Sequence, residues 1–165
     1  MEKTQVMNFT VDRENKRISV EREFAAPLKR VWAAWTQKEL LDEWWAPKPY
    51  KCITKSLEFE EGGTWLYNMK GPDGKAQWAK FDYKSIDKGH EFSGQDAFCD
   101  EKGKVNKDFP RSVWTTSFEE QDDDSTVVNI HLQFKKEADL DKLLETGFQE
   151  GFKMGMENLH ELLGH

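Results

Sequence analysis

The apolar and polar positions at the start of the chain follow the pattern of an antiparallel sheet. In "RISVEREF", residues 17 to 24, Ile18, Val20 and Phe24 alternate with polar residues, as in a strand with one buried face. The preceding "VMNFTV" alternates in the same way, and the polar "DRENK" between the two segments favours a hairpin. We therefore predict a core strand at residues 17 to 24 and assign residues 1 to 16 to an N-terminal extension that adds an edge strand.

Helical spacing replaces this alternation in "APLKRVWAAWTQKELLDEWW". Pro27 suits the first turn of a helix, and Val31, Trp32 and Trp35 recur at helical spacing. The spacing breaks near Thr36 and then resumes, which predicts two short helices in succession. The second helix ends before the prolines of "APKP", because proline cannot continue a helix.

The segment from residue 50 to residue 134 is predicted to form further short strands. Apolar residues alternate with polar ones, and turn sequences such as "EEGG" and "GPDG" separate the strands. We predict six antiparallel strands, in "KCITKSLEF", "TWLYNMK", "WAKFDYKSI", "HEFSGQDAF", "RSVWTTSFEE" and "STVVNIHLQF". Because no linker or repeat interrupts the pattern, we assign residues 17 to 165 to a single domain.

The last segment, residues 138 to 163, has the longest helical pattern in the chain and is predicted to be one amphipathic helix. Gly147, Gly151 and Gly155 step by four residues along its apolar face. Each glycine costs about 1 kcal/mol relative to alanine inside a helix, so the three together cost about 3 kcal/mol. Two explanations stay open: the helix backbone packs very close to the sheet, or the missing side chains leave room beneath the helix.

Composition narrows the classes of partner. A charged fraction of 33% and a net charge of −7 predict a soluble acidic surface, which argues against nucleic acid and anionic membranes as partners. No apolar run approaches the ~20 residues of a membrane span, so we expect no membrane insertion. Cys52 and Cys99 are far apart and fit no metal-ligand spacing, which predicts reduced thiols and a cytoplasmic protein.

The sequence contains no recognised catalytic motif. His131 alternates with apolar residues and should point outward, and the histidines lie in no metal-ligand spacing. We find no GxSxG sequence and no phosphate-binding glycine loop, so we predict no cofactor, no metal and no established catalytic residue.

Two charged residues, Arg22 and Asp96, are in phase with inward-facing apolar positions. A buried charge is unfavourable unless it is paired, so they form a structural ion pair or a polar spot on a cavity wall, unless a bulge returns one to solvent. If they line a pocket, Asp96 is the candidate acid or base and Arg22 the anchor for an anionic ligand.

Three motifs together resemble a known family. They are "REFAAPLKRVWAAWTQKELLDEWW", "EEGGTWLYNMKGPDGK" and "GFQEGFKMGMENLHELL", and they resemble the family named for the C-terminal domain of the Hsp90 ATPase activator, within the START and Bet v 1-like superfamily. The resemblance implies an α+β helix-grip fold, in which a curved antiparallel sheet wraps around a long C-terminal helix. The sequence departs from the family in its N-terminal segment, in Ala46 where glycine is frequent, and in the inserted "CDEKGKVNKDF".

The same resemblance implies that the helix bearing Trp44 and Trp45 covers one mouth of a cavity. An aromatic content of 13% fits either such a cavity or a tight core, and both indoles could simply plug the core. We favour a protein, monomeric or homodimeric, that binds a small apolar or amphipathic ligand. The candidate ligand-binding residues are Trp44, Trp45, Trp65, Tyr67, Phe81, Tyr83, Trp114, Phe148, Phe152 and Arg22.

Two alternatives stay open. One is a co-chaperone-like domain that binds Hsp90, although the chain lacks the "NxNNWHW"-type motif of the activator's preceding domain. The other is a small cyclase or hydrolase that uses the same cavity, with Asp96 as its weak catalytic candidate. Fold similarity alone does not choose among these functions.

Overall fold

The computed structural model describes residues 7–122 and 124–164. Its strands are β1 Asn8–Asp12, β2 Arg17–Phe24, β3 Lys51–Leu57, β4 Thr64–Lys70, β5 Ala76–Asp87, β6 Glu91–Phe98, β7 Val113–Asp122 and β8 Ser125–Gln133. Its helices are α1 Leu28–Thr36, α2 Lys38–Trp44, α3 Glu137–Glu145 and α4 Phe148–Leu163.

The eight strands form one antiparallel sheet in the order β1-β2-β8-β7-β6-β5-β4-β3. The first core strand, β2, pairs with the last strand, β8, from Arg17 opposite Gln133 to Phe24 opposite Thr126. Register shifts in β3, β5 and β7 are irregularities of the kind that bend a strand, which suits a sheet that curves around helices. The predicted α+β helix-grip fold and its two short helices after the first core strand are confirmed.

The core forms where the predicted apolar faces meet. Ile18, Val20 and Phe24 of β2 are almost fully buried, as the alternation of the sequence predicts. Helices α1 and α2 pack against each other, and the indole Nε1 of Trp44 donates a hydrogen bond of 2.8 Å to the carbonyl oxygen of Ala34. This bond satisfies the one polar group of a ring that lies wholly in the core.

The C-terminal helical segment differs from the prediction of one helix over residues 138 to 163. Gly147 has φ +86° and separates α3 from α4. This left-handed conformation suits glycine because it has no Cβ, and it ends the run of helical dihedral angles. Gly147 therefore belongs to a break in the helix, and only Gly151 and Gly155 lie within α4.

The edge strand β1 pairs with β2, with Phe9 opposite Val20. The ring of Phe9 lies 6.2 Å from that of Phe148, so the strand contributes to the packing at the start of α4. The rest of the assigned N-terminal extension, residues 1–6, lies outside the described residues. Within residues 7–122 and 124–164, no helix is both long and apolar enough to cross a membrane.

Candidate functional site

A cavity of about 500 Å³ lies between the sheet and the C-terminal helices. Its volume is within the range of pockets that hold small molecules, and its wall is mostly apolar. The wall consists of Trp45, Pro47, Tyr50, Tyr67, Met69, Gln77, Ala79, Asp96, Ala97, Phe98, Phe109, Pro110, Ser112, Trp114, Phe134, Lys142, Leu143, Thr146, Gly147, Phe148, Gly151 and Phe152.

The adjacent tryptophans at the end of α2 have different environments. Trp44 is buried, packs against Trp35 with ring centroids 4.7 Å apart, and lies outside the cavity wall. Trp45 lines the cavity, with its ring 6.0 Å from Trp114 and 6.3 Å from Phe152. One indole therefore fills the core, and the other contributes to the wall.

Helix α4 fixes the end of α2 and so positions Trp45. The side-chain amide of Asn158 donates to the carbonyl oxygens of Trp44 at 3.3 Å and Ala46 at 3.1 Å. Gly155 lies beside this end of α2: a Cβ there would contact the carbonyl oxygen of Trp45 at 3.4 Å, and a longer side chain would meet the backbone. At Gly151, one turn earlier, a Cβ would meet only the Cγ of Pro47 at 3.8 Å. Gly155 therefore faces the end of α2 rather than the sheet, whereas Gly151 has free space beside it, as the second explanation from the sequence expects.

The predicted aromatic residues divide into two groups. Tyr67, Trp114, Phe148 and Phe152 line the cavity together with Trp45. Phe148 and Phe152 lie one turn apart on α4, with ring centroids 5.3 Å apart, and both approach Trp114 at about 6 Å. Burial raises the pKa of Tyr67, so its hydroxyl stays protonated in the physiological range.

The other group lies in the core and does not line the cavity. Trp65 stacks on Tyr67 at 4.1 Å and is covered by the ring of Trp45 at 5.2 Å. Phe81 and Tyr83 pack around Phe92, 6.2 Å and 6.0 Å away, and the ring of Phe81 also lies 6.4 Å from that of Trp114. The structure thus places the predicted residues Trp44, Trp65, Phe81 and Tyr83 in the core rather than in contact with the cavity.

Asp96 is the acidic group of the cavity wall. Its Oδ1 accepts hydrogen bonds from the backbone nitrogen of Ser112 at 2.9 Å and from the hydroxyl of Ser112 at 3.0 Å. The indole nitrogen of Trp114 donates to the same hydroxyl at 3.1 Å. Burial raises the pKa of Asp96 above its usual value, while the bonds from Ser112 and the nearby indole of Trp114 act in the opposite direction.

Arg22 lies far from this group. It is only 3% exposed, and its guanidinium lies 5.5 Å from the ring centroid of Phe24. Burial lowers its pKa, and the nearby charge of Glu157 on α4 opposes that shift. Among the described residues, Arg22 and Asp96 form no ion pair, and Arg22 does not line the cavity. The structure therefore separates the two charged residues that the alternation of the sequence placed inward.

The β6–β7 connection contributes residues that the sequence analysis missed. Phe109 is the last residue of the inserted "CDEKGKVNKDF" and Pro110 follows it, and both line the cavity. Lys142 of α3 donates to the carbonyl oxygen of Asp108, and its ammonium lies 5.1 Å from the ring centroid of Phe109. The apolar pair "FP" inside an otherwise polar loop is the signal that could have identified this part of the wall.

The described residues offer few groups for other chemistry. Cys52 and Cys99 are free, and burial raises the pKa of both thiols, which disfavours the nucleophilic thiolate. Among residues 7–122 and 124–164, no group of three or more histidine, cysteine, aspartate or glutamate side chains could hold a metal ion.

Two solved structures similar to this chain come from bacteria. A protein from Arthrobacter aurescens, solved by NMR, is 29% identical, with a TM-score of 0.89 over 95% of this chain and 91% of its own. Protein Ms6760 from Mycobacterium smegmatis is 26% identical, with a TM-score of 0.87 over 97% of each chain. Neither protein is named by an activity, so the likeness concerns fold and family rather than ligand.

The comparison of sequences gives a family but no characterised relative. No curated protein matches the chain. The model of one family, described as Activator of Hsp90 ATPase homolog 1-like protein, matches residues 25–164. This match covers most of the chain and includes the two short helices, the sheet from β3 onward, and the C-terminal helices. The chain belongs to the Activator of Hsp90 ATPase homolog 1-like protein family.

Proposed function

We propose that this protein binds a small apolar or amphipathic molecule in the cavity beneath α4. The observation that carries the proposal is the open space of about 500 Å³ walled by Trp45, Trp114, Phe148 and Phe152. Aromatic rings that served only as core would pack against one another and leave no space of this size, because protein interiors are close-packed. A mostly apolar cavity with a few polar groups is typical of a small-molecule site.

The space at Gly151 supports the same proposal. A glycine within α4 lowers the stability of the helix by about 1 kcal/mol relative to alanine. A side chain at Gly155 would contact the carbonyl oxygens at the end of α2, but Gly151 has no such neighbour. A side chain at this position would project beside Pro47 at the cavity wall. Gly151 is thus accounted for by the space that it leaves free.

The proposal is tested by titrating the purified, delipidated protein with 2-(1-naphthyl)ethanol, an uncharged aromatic probe, in a calorimeter. We expect a dissociation constant below the millimolar range. Replacing Trp45 by alanine should weaken binding by about 1 to 3 kcal/mol, because the probe loses buried contact area. Trp78→Ala is the control, since Trp78 lies outside the cavity wall and its ring contacts Lys55.

Two results would reject the proposal. One is the absence of binding below millimolar concentration, and the other is equal weakening by Trp45→Ala and Trp78→Ala. Native mass spectrometry of freshly purified protein adds an independent measurement, because a bound molecule from the expression host would appear as a defined mass increment.

A further inference from the structure

We propose that the ligand of this cavity carries a protonated amine on an apolar body, and that Asp96 binds the amine. The inference rests on the proposed function, because it assigns the chemical class of the molecule that the cavity holds. It follows from the direction of the hydrogen bonds at Asp96, from the rings around it, and from the position of the cations near the site.

The hydrogen bonds of Asp96 leave one carboxylate oxygen available. Both bonds from Ser112 end on Oδ1, at 2.9 Å and 3.0 Å. Among the described residues, no hydrogen bond within 3.5 Å ends on Oδ2, although the indole of Trp114 lies close enough to act on the pKa of Asp96, and Asp96 lines the cavity. The hydroxyl of Ser112 uses its one hydrogen in the bond to Oδ1, and the same hydroxyl accepts a hydrogen bond from the indole nitrogen of Trp114. In its ionised form, Asp96 therefore presents an acceptor to the cavity, and a donor on the ligand would satisfy it.

The hydrogen bond from the backbone of Ser112 determines which oxygen of Asp96 can carry a proton when no ligand is bound. A backbone N–H can only donate, so Oδ1 has to remain an acceptor, and a proton carried by Asp96 would have to lie on Oδ2. A ligand ammonium supplies positive charge to that same oxygen. Charge-assisted hydrogen bonds are about twice as strong as neutral ones, which favours an amine over an alcohol of the same shape.

The aromatic wall favours the same class of ligand. Tyr67 and Trp114 line the cavity with Asp96, and Phe148 and Phe152 complete the wall on the side of α4. The faces of aromatic rings attract cations within about 6 Å, most strongly where water is excluded. Rings with one carboxylate thus suit an organic ammonium, whereas an anionic head would meet both a negative charge and the negative faces of the rings.

The cations near the cavity do not offer an equivalent site for an anion. Lys142 lies at the exposed side of the wall, where it donates to the carbonyl oxygen of Asp108 and contacts the ring of Phe109. Arg111 forms an ion pair with Asp82 at 2.6 Å. Arg22 lies outside the wall. An anion held by Lys142 would have to compete with its contacts to the β6–β7 connection.

Three probes of one shape test the inference: 2-(1-naphthyl)ethylamine, 2-(1-naphthyl)ethanol and 1-naphthylacetate, titrated by calorimetry near neutral pH. We expect the amine to bind at least about tenfold more tightly than the alcohol, and the carboxylate to bind most weakly. In Asp96→Asn, the amide oxygen can still accept both bonds from Ser112, but the charge is lost. The ratio of amine to alcohol affinity should then fall to within about threefold of one.

The outcomes separate this inference from the proposed function. If the alcohol binds but the amine binds no more tightly, or if the carboxylate binds best, the amine inference is overturned while ligand binding stands. The same holds if Asp96→Asn keeps the full preference for the amine. If none of the three probes binds, both the inference and the proposed function are rejected. Alcohol binding to Asp96→Asn also shows that this variant is folded, so a lost preference is not a loss of structure.

Discussion

The two glycines of α4 permit a sharp test, because the same substitution should have opposite effects one helical turn apart. In Gly151→Leu the new side chain begins 3.8 Å from the Cγ of Pro47 and has the cavity beside it. In Gly155→Leu it begins 3.4 Å and 3.6 Å from the carbonyl oxygens of Trp45 and Trp44. These carbonyls belong to the end of α2, where Asn158 holds the carbonyl oxygens of Trp44 and Ala46.

The magnitudes follow from helix propensity and packing. Replacing glycine by leucine inside a helix contributes about 0.8 kcal/mol at either position. At Gly151 this gain has no steric opposition, so the free energy of unfolding should rise by about 1 kcal/mol and the Tm by roughly 2 to 4 °C for a chain of this size. At Gly155 the rest of the leucine side chain meets backbone, and overpacking of about 1 to 3 kcal/mol exceeds the gain. The Tm of Gly155→Leu should therefore fall.

Thermal unfolding followed by circular dichroism measures both variants against the parent protein. Calorimetric titration with 2-(1-naphthyl)ethanol then compares binding, which Gly151→Leu should weaken because the leucine occupies part of the cavity. If the Tm of Gly151→Leu is as low as that of Gly155→Leu, there is no free space at Gly151. If Gly151→Leu has a raised Tm but binds the probe as tightly as the parent protein does, the probe does not bind in this cavity.

Two further predictions concern Asp96 and Gly147. Burial raises the pKa of Asp96 above its unfolded value, so the folded protein binds this proton more tightly and loses stability as the pH rises through the folded pKa. Asp96→Asn cannot ionise, so its Tm should lie above that of the parent protein at about pH 7, and this difference in Tm should shrink toward about pH 4. A difference in Tm that does not change with pH would contradict the reasoning. Gly147→Ala places a Cβ at φ +86° and should lower stability by about 1 to 2 kcal/mol in a denaturant titration. Gly164→Ala, at φ −77°, is the control, and an equal loss in both would refute the role of the left-handed conformation.

Periodicity predicted the elements well because burial of one face is the main determinant of this fold. Alternation located β2 at residues 17–24, and helical spacing located α1 and α2 with a break near Thr36, next to Gln37, which separates the two helices. The failure at Gly147 has a physical reason. A step of four residues is compatible with one face of a helix, but the spacing carries no information about the φ angle of a glycine.

The cavity wall was harder to predict, because alternation gives the face of a strand and not the neighbour that covers it. Trp65 and Tyr67 lie on one face of β4, yet only Tyr67 lines the cavity. The ring of Trp45 covers Trp65 at 5.2 Å, and this contact depends on where α4 holds the end of α2. Likewise, Arg22 is buried as the alternation along β2 predicts. The alternation did not indicate that Arg22 lies near Glu157 rather than near Asp96.

The inserted β6–β7 connection is joined to the cavity through Asp96 itself. The side chain of Asp96 accepts two bonds from Ser112, and its carbonyl oxygen accepts a bond of 2.9 Å from Nε of Arg111. Arg111 also binds Asp82 on the neighbouring strand β5. These bonds fix the segment that directly follows Phe109 and Pro110, which line the cavity. The acidic group inside the cavity and the apolar edge of its wall are therefore positioned by the same hydrogen bonds, those of Arg111 and Ser112.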